Sequence, residues 1–417
     1  MSRLMTSLAA SICVMIPVAV QAAPAPTLPD GPGRAQVQQV CTQCHNVNQI
    51  LNSSGYSRAH WQELIGNMID LSAAPQDRDT IVNYLATTFP PNTRRASTPV
   101  AGPVKISIQQ WKVPTLGQRS RDPVMTQDGM IWWNGQFGNV VGRLDPKTGA
   151  MKEFALPAGA KPHSITPDAQ GNIWYTGNGN GTVGRIDVKS GDIKVYPMPD
   201  PAAKDPHTAQ FAPNGVLWFT VQNSQMIGKL DPKTGEVKLV KVRADSNPYD
   251  VRIDSAGVPW MSCSESNCIY RVDPATMAVQ EFKLPAGSGV RRFAFASDGM
   301  IWYGNSLLGT VGRMDPKTGA TKEWASPSGP QSSPYGFEII NDVIWYNESG
   351  KRPDMLVRFD PKTEKFQSWP IQSGNVYAGI VRHMRKTPIG DLLIHQSSTN
   401  HIMRVSIDDG RKQAAAR

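Results

Sequence analysis

Five consecutive residues near the N-terminus, Cys41-Thr42-Gln43-Cys44-His45, carry the most specific chemistry in the sequence. Two thiols separated by two residues and followed at once by an imidazole form the C-x-x-C-H pattern of c-type haem attachment. In that chemistry the thiols add to the vinyl groups of the porphyrin, and the imidazole becomes the proximal ligand of the iron. The motif therefore predicts one covalent haem c, held by Cys41, Cys44 and His45.

Zinc binding and thiol redox chemistry are the alternatives for this pair of cysteines. A structural zinc site needs four ligands in a closed geometry, and the region offers only His60 beyond the motif. A redox-active C-x-x-C is expected in a βαβ context, which the surrounding sequence lacks. Haem attachment remains the prediction.

The sixth ligand of the iron is predicted to be Met68. Trp61, Leu64, Ile65 and Met68 recur at the spacing of one helix face. A methionine on an apolar face commonly packs in a core. In a small haem domain, however, the haem itself forms much of that core. His60 and an open sixth position are the alternatives.

Residues 27–93 resemble a small class I cytochrome c. The resemblance rests on the haem motif, on the helix that contains Trp61 and Met68, and on a closing helix predicted over 77–88, with Ile81, Tyr84 and Leu85 facing inward. It implies a small all-α domain that carries electrons, with His45 and Met68 as axial ligands. The separation of these two ligands is shorter than is usual for the family.

A repeated phrase organises the rest of the chain. VGRLDPKTG at 141–149 returns five times in related forms, and a tryptophan precedes each copy. The tryptophans recur every 42 to 44 residues, at Trp132, Trp174, Trp218, Trp260, Trp302 and Trp345. Such a period indicates a propeller, a solenoid or an array. Short runs of β-branched and aromatic residues, separated by Gly and Asn, predict four-stranded propeller blades.

The repeat predicts an all-β seven-bladed β-propeller over 103–410, joined to the helical domain by a polar linker at 94–102. Six units carry the tryptophan, and a degenerate seventh has Leu393 in its place. No outer strand follows the seventh unit, whereas a similar strand precedes the first. The strand near 106–113 is therefore predicted to complete the last blade and close the ring, which protects strand edges.

Residues 106–407 resemble the virginiamycin B lyase (streptogramin lyase) family in the repeated IW(Y/F) strand, the Pro-His or Pro-Tyr pairs and the VGR-DPKTG turn. The resemblance implies a metal-assisted elimination that opens a cyclic depsipeptide ester, with the histidine of a Glu-Pro-His segment as base. This chain has Ser333-Pro334-Tyr335 in that place, and no glutamate precedes its other Pro-His pairs. Glu348 does match an acidic position of the family. Loss of the lyase activity is therefore the prediction.

Side chains eleven residues before each tryptophan are predicted to face one mouth of the propeller channel. In the first five units they are Arg121, His163, His207, Tyr249 and Arg291. Tyr335 joins them if one residue is deleted in the sixth unit, and Tyr377 is the nearby candidate in the seventh. This cationic, concave surface would suit a carboxylate, a phenolate or another anion. A water-filled polar channel is the alternative, as is a metal held by His163, His207 and Glu348.

Two further features concern the compartment. Residues 1–22 are predicted to be a signal peptide cleaved near Ala22, because Arg3 precedes a short apolar run. Export to the periplasm follows, and no later segment is expected to span a membrane. Cys263 and Cys268, on either side of a four-residue loop, are predicted to form a disulfide in that oxidising compartment. A second metal or redox site is the alternative use of these cysteines.

The charge is divided unevenly along a chain whose formal net charge is +9. Residues 30–93 hold three basic and five acidic side chains, so the propeller carries the positive excess. A basic propeller would attract an anionic ligand or an acidic redox partner. Export and the absence of a clustered basic stretch argue against nucleic acid as a partner.

These features predict a periplasmic electron-transfer cytochrome whose propeller binds a ligand or docks a redox partner protein. The alternative is a propeller enzyme. Such an enzyme would be an oxidoreductase that passes substrate electrons to the haem, or a carbon–oxygen lyase. A fused haem disfavours a pure lyase, because elimination needs no electrons.

Overall fold

A computed structural model describes residues 26–374, 376–377 and 381–409 of the chain. The predicted signal peptide and Gly410, the last predicted residue of the propeller, lie outside the described residues. Residues 26–92, here called the helical unit, precede the propeller. In the described part of the chain, no helix combines the length and the apolar character needed to cross a membrane.

The helical unit contains α1 (Arg34–Cys41), α2 (Val47–Leu51), α3 (Arg58–Met68) and α4 (Pro75–Thr88). Side chains cap the starts of α2 and α3: Asn46 and Gln49 form a capping box, and Ser57 accepts a hydrogen bond from the amide of His60. The four helices bury one shared apolar core, which includes Val37, Trp61, Leu64, Ile65, Ile81, Tyr84 and Leu85. A short 3-10 turn, Thr93–Arg95, leads out of the unit.

The seven-bladed β-propeller is confirmed, since the strands form seven antiparallel sheets of four strands each. Strand β1 (Lys105–Lys112) comes first and is followed by β2 (Ser120–Met125), β3 (Ile131–Gly135), β4 (Val140–Leu144) and β5 (Met151–Ala155) of blade one, and by β6 (Pro162–Pro167), β7 (Ile173–Gly177), β8 (Thr182–Ile186) and β9 (Ile193–Pro197) of blade two. Blade three contains β10 (Pro206–Phe211), β11 (Leu217–Val221), β12 (Met226–Leu230) and β13 (Val237–Lys241), blade four contains β14 (Pro248–Ile253), β15 (Pro259–Cys263), β16 (Cys268–Val272) and β17 (Val279–Lys283), and blade five contains β18 (Val290–Phe295), β19 (Ile301–Asn305), β20 (Thr310–Met314) and β21 (Thr321–Ala325). Blade six contains β22 (Pro334–Ile340), β23 (Val343–Glu348), β24 (Met355–Asp360) and β25 (Lys365–Pro370), and blade seven contains β26 (Arg385–Lys386), β27 (Leu392–Gln396) and β28 (His401–Asp408).

Strand β1 supplies the fourth strand of blade seven. It pairs with β28 in antiparallel register from Lys105 opposite Asp408 to Lys112 opposite His401. Backbone hydrogen bonds between the two ends of the propeller therefore hold the ring closed.

The repeated phrase encodes the packing inside each blade. In blade two, Trp174 stacks on Tyr196 of the outer strand at 5.4 Å and donates from Nε1 to Asp168 at 2.9 Å. Gly184 lies against the ring of Tyr175, where a Cβ would sit 2.1 Å from the nearest ring atom. The tryptophan recurs in six blades, and the glycine recurs in blades one, three and five as Gly142, Gly228 and Gly312.

The helical unit docks on the propeller through backbone groups at the end of α3. The carbonyl oxygen of Asn67 accepts hydrogen bonds from the amide of Gly117 at 3.0 Å and from Nδ2 of Asn400 at 2.7 Å. The guanidinium of Arg352 lies over the ring of Tyr56 at 5.1 Å. These contacts join the unit to the loop before blade one and to blades six and seven.

The predicted linker lies along the propeller surface. The amide of Thr98 donates to Ser328 Oγ at 2.8 Å, and the amide of Val100 donates to Ser368 Oγ at 2.9 Å. The backbone of Ser368 returns a hydrogen bond to the carbonyl of Val100 at 2.9 Å. Residues 94–102 therefore restrict where the helical unit can lie.

Gly117→Ala should weaken the docking of the helical unit. Gly117 has φ +63°, and a Cβ there would lie 2.3 Å from the carbonyl oxygen of Met68. Left-handed backbone costs an alanine about 1–2 kcal/mol, and the steric conflict should add about 1–3 kcal/mol. Hydrogen exchange at the amides of residues 67–69 should become faster, and the thermal midpoint should fall.

Gly129→Ala is the matched control, because Gly129 has φ +80° and nothing within 4 Å of its Cβ position. In the Gly129→Ala variant, hydrogen exchange at the amides of residues 67–69 should stay at the wild-type rate. Equal effects of both substitutions on those amides would contradict the proposed docking contact.

Candidate functional site

Six of the seven side chains predicted for the channel mouth lie on the innermost strands of successive blades. They are Arg121, His163, His207, Tyr249, Arg291 and Tyr335. In blades two to six the residue falls within a shift of strand register, for example between Pro162 and Ile165 around His163. A β-bulge of this kind redirects a side chain, and bulges are common next to binding sites. The offset from the tryptophan, eleven residues in blades one to five and ten in blade six, thus marks the rim of the channel.

Tyr377 is not the seventh member of this ring. Its side chain is 39% exposed and lines a surface pocket together with Ile108 and Trp369, at the outer strands of blades six and seven. Arg382 takes the seventh place. Arg385 pairs with Leu393 in blade seven as Thr166 pairs with Trp174 in blade two. Arg382, three residues before Arg385, therefore corresponds to His163, three residues before Thr166. Arg382 also lies eleven residues before Leu393, so the spacing rule identifies it once Leu393 is treated as the tryptophan.

Aromatic side chains of the ring stack in sequence around the mouth. The rings of His163 and His207 lie 3.5 Å apart, and those of His207 and Tyr249 lie 4.2 Å apart. The Nδ1 of His207 contacts the carbonyl oxygen of Tyr249 at 3.1 Å, which favours a proton on that nitrogen. Burial, with Arg121 and Arg292 nearby, lowers the pKa of both histidines well below its usual value. Both imidazoles are therefore neutral at pH 7.

Tyr249 and Tyr335 form a buried pair joined by a hydrogen bond between their hydroxyls. The guanidinium of Arg291 lies over the ring of Tyr335 at 4.8 Å and over that of Tyr249 at 5.8 Å. Burial alone would raise the pKa of Tyr335, but Arg291, Arg382 and Arg121 outweigh it, and the pKa falls to about 7. Burial and the neighbouring Tyr335 raise the pKa of Tyr249 to about 12. The pair is therefore arranged to hold one phenolate, on Tyr335, near neutral pH.

A second layer of charged residues supports the ring from one position further along the inner strands. Arg292 donates to Asp250 Oδ1 at 2.7 Å, and Arg252 donates to Asp250 Oδ2 at 3.1 Å. On the opposite side of the channel, Nδ1 of His383 lies 3.1 Å from Asp122. Sequence reasoning missed these residues, although position ten before each tryptophan, or before Leu393, would have found Asp122, Asp250, Arg292 and His383.

The helical unit places its haem motif next to this mouth. The ring of His45 contacts the edge of Phe137 at 6.1 Å, and Arg119 lies over the same Phe137 at 4.8 Å. Burial lowers the pKa of His45, a hydrogen bond with Gln49 opposes that shift, and the charges of Arg119 and Arg382 lower it further. His45 therefore lies within electrostatic reach of the same arginines as Tyr335.

The donors of the motif are suited to covalent haem attachment. Cys41 ends α1, and the amides of Cys44 and His45 both donate to its carbonyl oxygen, so one tight turn holds both thiols and the imidazole. Cys41 and Cys44 are free thiols. Burial, with Cys44 close by, raises the pKa of Cys41 to about 11. Two adjacent reduced thiols and a free imidazole match the donor set that haem c requires.

Met68 is the last residue of α3, and its side chain is half-buried. Trp61, Leu64 and Ile65 of the same helix are buried in the core of the unit. The backbone of Met68 lies against Gly117, in the same loop as Arg119. His60 lies in the first turn of α3 and is also half-buried.

Glu348 does not join the mouth. Its carboxylate is fully buried and accepts hydrogen bonds from the Ser326 hydroxyl at 2.7 Å and from the Ser328 amide at 2.9 Å. In the described part of the chain, no three His, Cys, Asp or Glu side chains converge into a metal-binding group. His163, His207 and Glu348 therefore do not form the metal site considered from the sequence. Cys263 and Cys268 are joined by a disulfide between β15 and β16, with Cα atoms 5.4 Å apart.

Comparison with known proteins agrees with the fold. A sequence model of the virginiamycin B lyase family matches residues 103–262. The structure is similar to a streptogramin B lyase, with a TM-score of 0.65 and 23% identity over 73% of this chain and 98% of that one. It is similar to a catalytically inactive virginiamycin B lyase from Staphylococcus aureus with quinupristin, with a TM-score of 0.65 and 22% identity over 72% and 99%.

A third similar structure is the extracellular domain of a one-component system from B. thetaiotaomicron, with a TM-score of 0.53 and 15% identity over 72% of this chain and 40% of that one. No curated protein matches the chain in sequence. The chain thus contains a seven-bladed propeller of virginiamycin B lyase-like sequence and fold. At these identities the solved structures show the fold alone, so the chemistry of the mouth must be argued from its own residues.

Absorbance titration at 295 nm should show one tyrosine that ionises near pH 7. Tyr335→Phe should abolish this step, and Arg291→Gln should move its midpoint upward because a stabilising charge is lost. Because the pKa falls on folding, ionised Tyr335 stabilises the fold at high pH, and this contribution is lost as the pH falls through about 7. Subtracting the spectra of the Tyr335→Phe variant from those of wild type leaves the absorbance change of Tyr335. A titration identical in wild type and variant below pH 9 would contradict the assignment.

Proposed function

We propose that the chain is an exported c-type cytochrome that carries electrons through one haem, bound to Cys41, Cys44 and His45. Its propeller mouth binds a ligand or docks a periplasmic redox partner. The observation that carries the proposal is the position of the C-x-x-C-H turn beside the mouth, with Arg119 between His45 and the ring of arginines and tyrosines. A haem attached there would be next to whatever the mouth binds.

Individual residues of the helical unit have distinct roles in this proposal. Cys41 and Cys44 tether the porphyrin through thioethers, and His45 ligates the iron. The hydrogen bond between His45 and Gln49 orients the imidazole, as is common for metal-bound histidines. When bound, the haem supplies a one-electron redox centre. Met68 is proposed as the sixth ligand, with His60 as its alternative.

The electrostatics of the mouth also favour electron transfer. Arg119 and Arg382 are positive charges close to His45, and a nearby positive charge disfavours the oxidised form of an iron centre. The same arginines would attract an anionic electron donor or the acidic surface of a partner. Ligand binding and haem potential would thus be coupled through shared charges.

Purified protein should contain one haem c per chain, and reduced wild-type protein should not bind carbon monoxide. Met68→Ala should open the sixth position, so the visible spectrum of the reduced variant should change when carbon monoxide is added. His60→Ala is the control and should behave like wild type. Protein without covalent haem after expression with the cytochrome c maturation machinery would contradict the proposal. Carbon monoxide binding by wild type would contradict only the role of Met68 as the sixth ligand, and not the attachment of the haem.

A carbon–oxygen lyase is the second candidate, favoured by the family match over 103–262. His163 and His207 are neutral and buried at the mouth, and Tyr335 follows the proline where the family has its base. However, Glu348 is held by Ser326 and Ser328, outside the ring. A metal-assisted elimination therefore lacks its acidic ligand at the mouth.

Quinupristin incubated with the protein and magnesium should remain cyclic, as followed by chromatography of the ring-opened isomer. The Staphylococcus aureus lyase serves as the positive control. Ring opening by wild type that is lost in a His163→Ala, His207→Ala double variant would favour the lyase over the electron carrier.

A further inference from the structure

We propose that the mouth of the propeller is a binding site for a carboxylate, and that Tyr335 takes up a proton when the carboxylate binds. This inference rests on the proposed role of the mouth as a ligand site, and it specifies the ligand class. Binding of a free organic acid would not depend on haem attachment.

The mouth holds more positive charge than its carboxylates neutralise. Arg119, Arg121, Arg291 and Arg382 lie within electrostatic range of Tyr335. Burial and then the charges of Arg382 and Arg121 lower the pKa of Arg119, and burial with the charges of Arg121 and Arg291 lowers the pKa of Arg382. Among the described residues, Arg121 is the only one of these four within 4 Å of a carboxylate, at 3.5 Å from Asp122. Burying like charges together is costly unless an anion compensates them.

Unused hydrogen-bond donors point to the same requirement. Arg121 is 1% exposed, and its Nη1 donates to Gln136 at 2.9 Å. Its Nε faces Asp122, whereas among the described residues its Nη2 has no hydrogen-bond partner, and neither does Nδ1 of the 6% exposed His163. Buried donors are normally satisfied, and unpartnered ones in a native protein call for a ligand or an ion. An anion in the mouth would accept from them.

The shape of these donors favours a carboxylate. A guanidinium presents two parallel N–H groups that match the two oxygens of a carboxylate. Two kinds of carboxylate have this chemistry. One is a free organic acid, and the other is a propionate of the haem attached at the neighbouring motif.

Tyr335 makes binding depend on protons. Its hydroxyl faces Tyr249, and the charged groups around it are Arg119, Arg121, Arg291, Arg292 and Arg382. A bound carboxylate and an ionised Tyr335 would compete for these arginines, and two adjacent anions disfavour each other. Binding should therefore transfer one proton from the solvent to the oxygen of Tyr335.

Isothermal titration of holo-protein with succinate at pH 8, in two buffers of different ionisation enthalpy, tests this inference. Wild type should bind succinate with uptake of up to one proton. Arg291→Gln and Arg382→Gln should each weaken binding roughly tenfold or more, because each removes a charge-assisted hydrogen bond. Tyr335→Phe should bind without proton uptake. Arg313→Gln, on the outside of blade five, is the matched control and should bind like wild type.

The source of the carboxylate is read from the same variants. Succinate binding by wild type, with unchanged resonance Raman bands of the haem propionates in Arg291→Gln and Arg382→Gln, indicates a free acid. No succinate binding, together with altered resonance Raman bands of the haem propionates in Arg291→Gln and Arg382→Gln, indicates that a propionate fills the site. Neither effect, or binding of phosphate in place of succinate, would overturn the inference. Haem content is measured separately, so a protein without haem that still binds succinate defeats only the proposed function.

Discussion

The pairing of β1 with β28 is the constraint on which the site depends, because it fixes both the ring and the segment that enters it. The strand that completes blade seven continues directly into the loop that contains Gly117 and Arg119. That loop receives the end of α3 and places Arg119 between Phe137 and the mouth. Closure of the propeller thus also determines where the helical unit lies.

Once the ring is closed, the inner strands bury polar side chains beside one another. Carboxylates balance the arginines of the second layer, since Asp250 accepts hydrogen bonds from both Arg292 and Arg252, and Glu338 lies 3.5 Å from Arg252. The first layer is not balanced in the same way, because its arginines face the phenols of Tyr249 and Tyr335. In a buried environment this difference changes protonation states strongly, which is why Tyr335 and the two histidines depart from their solution behaviour. His45 lies next to the first layer, so the predicted redox centre is close to the predicted anion site.

The periodic parts of the structure could be predicted from the sequence, whereas the contacts between units could not. The tryptophan of blade two, Trp174, recurs in six blades because its ring packs towards the outer strand. Its glycine, Gly184, recurs in four blades, where an aromatic ring occupies the space of a Cβ. The same period located Tyr335 in the ring. In the seventh blade the same count starts from Leu393 and gives Arg382, so Tyr377 was a departure from the rule.

Arg119 and the docking of α3 were not predicted because neither belongs to the repeat. Asn67 holds the propeller through its backbone carbonyl, and a backbone contact leaves no pattern of side-chain types in the sequence. Glu348 was a candidate from the family pattern, but Ser326 and Ser328 of the preceding blade connection hold its carboxylate away from the ring.

The central claim is that a haem bound to Cys41, Cys44 and His45 lies beside the ring of arginines and tyrosines. A crystal structure of the holo-protein, with anomalous scattering recorded at the iron absorption edge, tests it most directly. The account predicts a single iron peak bonded to His45, on the side of the propeller where Arg119 and Tyr335 lie. An iron peak away from the mouth, or crystals of folded protein without iron, would contradict it.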